Sequence, residues 1–218
     1  MHLPMVASSP TPLTSPRSRE PVAGVILFGV RVTAYVIIDI VEHRRRQAAG
    51  MGAVTSPGLL DRLLDLPPAV PIIDPVLWAE MADQPPGILE RDNDSITRRL
   101  SSPLTITDVV VRAGARRELR AIQDASLFAG FTRRWVATAR DPMPEATMLE
   151  AKMFGVGIVD LAHRVLLPAE KPVSLTVDGW SWLLEEKAYR RWLTERLGGR
   201  GNQSPGRATG AASVRAAR

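Results

Sequence analysis

The sequence contains no cysteine and only three histidines, His2, His43 and His163. The lack of cysteine excludes disulfide frameworks, thiol nucleophiles, cysteine-ligated zinc and iron–sulfur clusters. The histidines are far apart in the chain, which argues against a histidine-rich metal site or a histidine-based triad. The sequence also lacks the patterns GxxxxGK[ST], GxGxxG, GxSxG and HExxH. We therefore predict no catalytic residue, no metal and no cofactor.

Lysine is scarce, with three lysines against 25 arginines, and this imbalance together with abundant Ala, Pro and Gly is typical of a high-GC bacterial genome. The net charge is +5, which on its own would suggest an acidic partner. The charge is uneven, however. Residues 1–50 carry +3 and residues 198–218 carry +4, whereas residues 51–197 hold 18 basic and 20 acidic side chains. The global charge is therefore weak support for nucleic-acid binding.

The chain of 218 residues is 45% hydrophobic, enough for one folded domain with a core. Residues 1–21 contain five prolines among Ser and Thr and are predicted to be disordered. Residues 198–218 are rich in Gly, Ala and Arg and are predicted to be a disordered basic tail. The globular domain is predicted over residues 59–197.

Residues 22–46 form an apolar segment that ends in an arginine cluster, and three structures are compatible with the pattern of its apolar part. A membrane helix over Val22–Val41 has the right length, and Arg44–Arg46 would hold its end in the cytoplasm, but Arg31 interrupts it. A soluble helix with one polar seam is the second alternative. The third is a half-buried strand, because β-branched residues alternate with polar ones. A start codon at Met51 would remove the segment altogether.

The rest of the chain predicts an α+β fold that is mainly helical, with a few short strands and flexible termini. Apolar spacing, caps and prolines predict helices over 59–64, 76–82, 95–100, 115–140, 141–153 and 179–197. Glycines and β-branched residues predict strands over 155–161, 164–167 and 174–177. In the last helix, Trp180, Leu184 and Trp192 share one face and are predicted to be buried. That helix could alternatively carry a protein partner or self-association.

The best local motif runs from Leu104 to Arg117. It resembles the helix-turn-helix of the lactose- and tetracycline-repressor families, in which a Thr-capped helix ends in Ala-Gly at a tight turn. The resemblance implies that the helix after Gly114 enters the major groove, while Val110 and Arg120 depart from the pattern. Residues 112–140 hold seven arginines and two acids, so the local charge suits DNA. The predicted DNA-binding residues are Arg112, Arg116, Arg117, Arg120, Arg133 and Arg134.

These observations favour a non-enzymatic, DNA-associated or regulatory protein of the cytoplasm. A different class is a membrane-anchored interaction protein, tethered through residues 22–41 at the inner face of the plasma membrane. A third hypothesis is a metal-dependent nuclease, because Asp141 with Glu150-Ala151-Lys152 imitates the D…ExK pattern of restriction-endonuclease-like folds. Prolines lie between these acids and Glu150 falls in a predicted helix, both of which depart from that pattern.

Overall fold

The apolar segment forms a β-hairpin in the computed structural model, which describes residues 19–81, 84, 87–172 and 178–200. Strand β1 (Glu20–Leu27) pairs with β2 (Val30–Ile38) in antiparallel fashion. The turn residues Phe28 and Gly29 have φ of 53° and 76°, as a type I′ hairpin requires. Of the three alternatives for this segment, the strand is confirmed. Within the described residues, no helix has the length and apolar character needed to cross a bilayer.

The remaining elements follow in chain order. They are α1 (Ile40–Ala48), α2 (Pro57–Leu64), β3 (Pro71–Ile72), α3 (Pro75–Glu80), β4 (Leu89–Asp92), β5 (Ser95–Arg98), β6 (Leu104–Arg112), α4 (Glu118–Ser126), β7 (Arg133–Thr138), α5 (Glu145–Met153), β8 (Gly157–Asp160), β9 (Val165–Leu167) and α6 (Gly179–Arg200). The predicted tails, apart from residues 19–21 and 198–200, and the strand over 174–177 lie outside the described residues. Residues 20 and 21 belong to β1, and 198–200 continue α6.

The prediction of a mainly helical domain is wrong, because a six-stranded mixed sheet organises the fold. Its strand order is β1-β2-β6-β7-β8-β9. The first three strands are antiparallel, β6, β7 and β8 are parallel, and β9 is antiparallel to β8. Helices α4 and α5 are the crossovers between the parallel strands. A second sheet, in the order β3-β5-β4, lies in the stretch between β2 and β6.

The two faces of the large sheet differ in cover. Helices α4, α5 and α6 pack on one face, where Val109, Val136 and Ile158 belong to the main core. We call the opposite side the second face. It carries a smaller cluster, made of Val110, Trp135, Ala137 and Val159 with Tyr35, Val165 and Ala169 packed around it. The second face therefore carries Tyr35 and Trp135, and it is the face opposite helices α4, α5 and α6.

Two predicted helices are wrong. Residues 95–100 belong to a β-hairpin, because Asn93 adopts φ of 48° and reverses the chain between β4 and β5. The long helix over 115–140 is divided into α4 and β7. The chain leaves α4 at Leu127, passes through turns around Gly130 and then pairs with β6. The predicted helices that correspond to α2, α3, α5 and α6 are confirmed, as are strands β8 and β9.

Helix α6 buries only part of its predicted apolar face. Leu184 and Trp192 are buried, as predicted, but Trp180 is 49% exposed. Trp182 is in the core instead. Trp180 lies in the first turn of the helix, where its ring contacts Phe28 at 5.6 Å between centroids. The buried face of α6 therefore begins after Trp180, from Trp182 onward.

A buried ion cluster joins helices α1 and α6. Arg46 on α1 is 0% exposed and donates two hydrogen bonds to Glu186 on α6, at 2.6 and 2.8 Å, and one to Glu42 at 2.8 Å. The same guanidinium also donates to the Ser101 carbonyl at 2.7 Å. We call Glu42, Arg46 and Glu186 the Arg46 cluster. All three are buried, and Glu186 has Arg46 as its charged partner, whereas Glu42 is also paired with Arg45 at 2.6 Å. Glu186 therefore depends on Arg46 for its charge compensation.

Candidate nucleic-acid interface

The three parallel strands end at one edge of the sheet, which we call the carboxyl edge. Their last residues are Arg112 in β6, Thr138 in β7 and Asp160 in β8. In sheets of this kind, ligands bind outside the carboxyl ends of parallel strands, where loops and helix N-termini meet. The carboxyl edge, where β6 also pairs with the antiparallel β2, is therefore the expected position of a ligand-binding site.

The loop between β6 and α4 brings two more arginines to this edge. The Ala113 amide donates to the Ala137 carbonyl at 2.8 Å, and the Arg117 amide donates to the Gly114 carbonyl at 3.1 Å. Arg116 has φ of 58°, whereas Gly114 has no positive φ. The tight turn that the resemblance implies at Gly114 thus has its positive φ at Arg116 instead. The tight turn leaves the side chains of Arg116 and Arg117 exposed in front of α4.

Arg31 completes this group from the neighbouring strand. Thr33 of β2 pairs with Val110 of β6 in antiparallel register. Arg31 precedes Thr33 by two residues and Arg112 follows Val110 by two, so strand alternation puts both arginines on the second face at the carboxyl edge. We call Arg31, Arg112, Arg116 and Arg117 the basic edge. All four are exposed, and none has an ion pair with an acid among the described residues.

The other predicted DNA-binding residues lie elsewhere. Arg120, in the first turns of α4, is 73% exposed and pairs with Asp124 at 3.0 Å. Arg133 starts β7, at the far end of that strand from the carboxyl edge, and pairs with Asp108 at 2.9 Å. Arg134 is buried and donates to the carbonyls of Ala129 and Phe154. Burial lowers the pKa of Arg134, and the charge of Glu170 opposes this shift only in part. The structure thus brings together only Arg112, Arg116 and Arg117 of the six.

The local structure implied by the repressor resemblance is also different. The residues from Leu104 to Arg112, where that motif has its first helix, form the central strand β6. The run Val109-Val110-Val111 is buried on both faces of the sheet, and such a continuous apolar run is typical of a central strand. The arginines after Gly114 are therefore presented by a loop and a strand end.

A cavity of about 220 Å³ opens beside the basic edge on the second face. It is lined by Thr33, Tyr35, Val110, Arg112, Ala137, Asp160, Leu161 and His163. Asp160 accepts hydrogen bonds from the Ala162 and Arg164 amides, each at 2.8 Å, and from Arg164 Nε at 2.5 Å. The Arg164 amide and side chain together hold the pKa of Asp160 below its ordinary value. This carboxylate is therefore committed to the turn that presents His163, which has φ of 62°.

A second buried acid, Asp108, lies on β6 next to the cavity wall. Its carboxylate accepts hydrogen bonds from Trp135 Nε1 at 2.9 Å, Arg133 at 3.0 Å and Arg19 at 3.2 Å. Burial, and secondly the charge of Asp108, raise the pKa of the Tyr35 hydroxyl. Tyr35 therefore stays protonated at neutral pH and can donate a hydrogen bond into the cavity.

The nuclease pattern is not assembled on a strand. Glu150 and Lys152 both lie on helix α5, whereas the D…ExK arrangement places these residues on a strand. In the part of the chain that the structure describes, no group of three or more His, Asp or Glu side chains is arranged to hold a metal ion.

Sequence reasoning missed Arg31, Tyr35 and His163 as members of the site. These residues lie on β2 and in the β8–β9 turn, so pairing between distant strands brings them to β6. The alternation of Arg31, Thr33 and Tyr35 with buried valines was the available signal. No protein-family model matches the chain, and neither a curated protein nor a solved structure shows significant similarity to it.

Proposed function

We propose that this chain is a non-enzymatic DNA-binding protein whose basic edge contacts the phosphate backbone. The observation that carries the proposal is the meeting of four exposed arginines without acidic partners among the described residues. Arg31, Arg112, Arg116 and Arg117 come from β2, the end of β6 and the β6–α4 loop. This local excess of unpaired positive charge can attract an anionic partner.

Two acids at this edge, Asp160 and Glu118, are already paired. Asp160 forms an ion pair with Arg164 at 2.5 Å, and the buried Glu118 lies 3.9 Å from the exposed guanidinium of Arg140. Each of these acids therefore has its own arginine. A guanidinium binds a phosphate through two parallel N–H donors, which makes arginine well suited to such contacts.

The proposal also changes which of the predicted residues contact DNA. Arg112, Arg116 and Arg117 are retained, and Arg31 joins them. Arg133 and Arg134 serve the fold through Asp108 and two carbonyls. A DNA-binding role agrees with the cytoplasmic location expected from the sequence. The tethered alternative relied on a helix over residues 22–41, where the structure has the β1–β2 hairpin.

The test is DNA binding measured by fluorescence anisotropy with labelled oligonucleotides over a range of salt concentrations. The full-length chain should bind at low salt and lose affinity steeply as salt rises, because phosphate contacts release counterions. Arg112→Ala, Arg116→Ala and Arg117→Ala should each weaken binding to every sequence. Each should also reduce the slope of log K against log salt by about one.

Arg44→Ala is the matched control. Arg44 is exposed on α1, which follows β2 at the opposite edge of the sheet, and the described residues offer it no ion pair. Its removal deletes the same charge away from the basic edge, so affinity should change by less than about twofold. No binding at low salt, or equal losses from Arg44→Ala and Arg112→Ala, would overturn the proposal.

A further inference from the structure

The cavity on the second face is small and lies directly beside the basic edge. Arg112 lines the cavity and also belongs to the basic edge. The volume of the cavity is about 220 Å³. A dinucleotide cofactor or a drug-sized ligand needs a larger site. One planar heterocycle with a phosphate held outside fits both the size of the cavity and its position.

The polar groups in the cavity are available to a ligand. The side chains of Thr33, Tyr35, Arg112 and His163 make no hydrogen bond or ion pair with any other described residue. They supply two hydroxyls, an imidazole and a guanidinium. These groups can both donate and accept hydrogen bonds, as the edge of a nucleobase requires.

The rest of the lining is apolar and suits the face of a ring. Val110 and Ala137 belong to the cluster of the second face, and Tyr35 packs against it while remaining partly exposed. Aromatic side chains of this kind form stacking platforms for unpaired bases in proteins that bind single strands. Since Asp160 and Asp108 are both paired with arginines, neither acid is free to repel a nearby phosphate.

We propose that this cavity receives one unpaired base of single-stranded DNA, stacked on Tyr35, while the basic edge holds the adjoining phosphates. This inference rests on the proposed function and specifies its substrate class. In a duplex, each base is stacked and paired, so entry into the cavity would require the base to be flipped out at an energetic cost. The protein therefore prefers single-stranded over double-stranded DNA.

The experiment compares a fluorescein-labelled oligothymidylate with a duplex of the same length and at the same salt, using the full-length chain. The wild type should bind the single strand at least about tenfold more tightly. Tyr35→Leu should remove most of this preference, because loss of a stacked base weakens binding by roughly five- to 150-fold. Tyr35→Phe, which keeps the ring, should stay within about fivefold of the wild type. Arg112→Ala should weaken binding to both DNA forms.

A second measurement uses only the wild-type chain and so does not depend on the stability of a variant. An oligothymidylate that contains 5-iododeoxyuridine is irradiated with the protein, and the cross-linked tryptic peptide is identified by mass spectrometry. The cross-link should fall in the peptide of residues 32–44, which contains Tyr35.

The outcomes separate the two proposals. If single strand and duplex bind equally and Tyr35→Leu changes neither, the cavity inference is overturned while binding at the basic edge stands. A cross-link confined to peptides outside residues 32–44 and 153–164, which contain Tyr35 and His163, also overturns the cavity inference. If neither DNA form binds at low salt, both proposals are wrong.

Discussion

Replacing Arg46 with methionine should destabilise the protein strongly. Arg46 and Glu186 are each 0% exposed, and the two hydrogen bonds between them measure 2.6 and 2.8 Å. After the substitution, Glu186 remains buried with only the Val54 amide, at 2.8 Å, among the contacts described for it. Removal of one partner from a buried pair costs about 3–5 kcal/mol, because the other charge is left uncompensated. We expect a loss of that size in the free energy of unfolding.

The assay is urea unfolding at pH 7, followed by tryptophan fluorescence and far-UV circular dichroism. Arg44→Met provides the control, since this exposed residue lies on the same helix and its replacement should cost less than about 0.5 kcal/mol. The double variant Arg46→Met/Glu186→Gln removes both charges. It should recover about 1–3 kcal/mol relative to the sum of the single changes, because the two residues are in direct contact.

The reasoning fails if Arg46→Met costs less than about 1 kcal/mol, since this result would mean that Glu186 finds compensation elsewhere. It also fails if the double variant equals the sum of the single variants. The pH dependence offers a further check. Burial raises the pKa of Glu42, but hydrogen bonds from Arg45 and Arg46 outweigh this effect and hold it below the ordinary value. The stability from Glu42 is thus present above pH 4.3 or so and declines as acid protonates the folded carboxylate.

Three further outcomes are expected. Gly157→Ala should cost about 1–3 kcal/mol in the free energy of unfolding, because a Cβ there would overlap the ring of Trp135, whereas Gly130→Ala meets nothing within 4 Å; equal melting temperatures of the two variants would contradict this. Trp192→Ala should cost about 3–5 kcal/mol in urea unfolding, because this side chain is 5% exposed, and a similar loss from Trp180→Ala, at the exposed start of the same helix, would refute the packing argument. Burial, and to a smaller extent the neighbouring acid on α6, raise the pKa of Glu185 to about 7, whereas the unfolded value is about 4.3. The folded state therefore binds the proton more tightly, and stability falls as pH rises from about 4 to 7. Between about pH 4 and 7 the free energy of unfolding of Glu185→Gln should rise relative to that of the wild type, by an amount on the order of 3 kcal/mol. Parallel curves of stability against pH for the two proteins would contradict the raised pKa of Glu185.

Local signals were sufficient for several elements of the fold. Amphipathic spacing predicted α2 over 59–64, and the structure extends this helix back only to Pro57. The glycine and β-branched residues of Gly157–Asp160 predicted a strand that the structure confirms. In each of these segments, a single type of element accounts for all the apolar residues. Sequence reasoning therefore needed no knowledge of a distant partner.

The long helix predicted over 115–140 fails because its apolar residues serve three different environments. Ile122 lies on the buried side of α4, Leu127 is 48% exposed at the end of that helix, and Trp135 lies on the second face of the sheet. Their spacing resembles one helical stripe only by coincidence. No proline marks the break, which occurs near Gly130. Pairing of β7 with β6 decides the structure there, and a local pattern does not contain it.

Only the part of the candidate site that is local in sequence was predictable. Arg112, Arg116 and Arg117 lie within six residues of one another, so their shared positive charge is visible in the sequence. Arg31 and Tyr35 join them only through the register of β2 with β6, in which Thr33 pairs with Val110. Once Leu104–Arg112 is assigned to a central strand, the arginines mark the end of that strand. The resemblance to a repressor motif concealed this assignment.

The excursion between β2 and β6 has a consequence for the order of folding. Ile38 pairs with Leu104, and the Asp39 amide donates to the Pro103 carbonyl at 2.9 Å, so the chain leaves and re-enters the sheet at the same point. The β1–β2 hairpin closes through a two-residue turn, and β6, β7 and β8 are joined by short crossovers. The join between these two units must instead close a loop of more than 60 residues, at a greater entropic cost. Each unit should thus form early, and the β2–β6 seam should be the last part of the sheet to gain protection from hydrogen exchange.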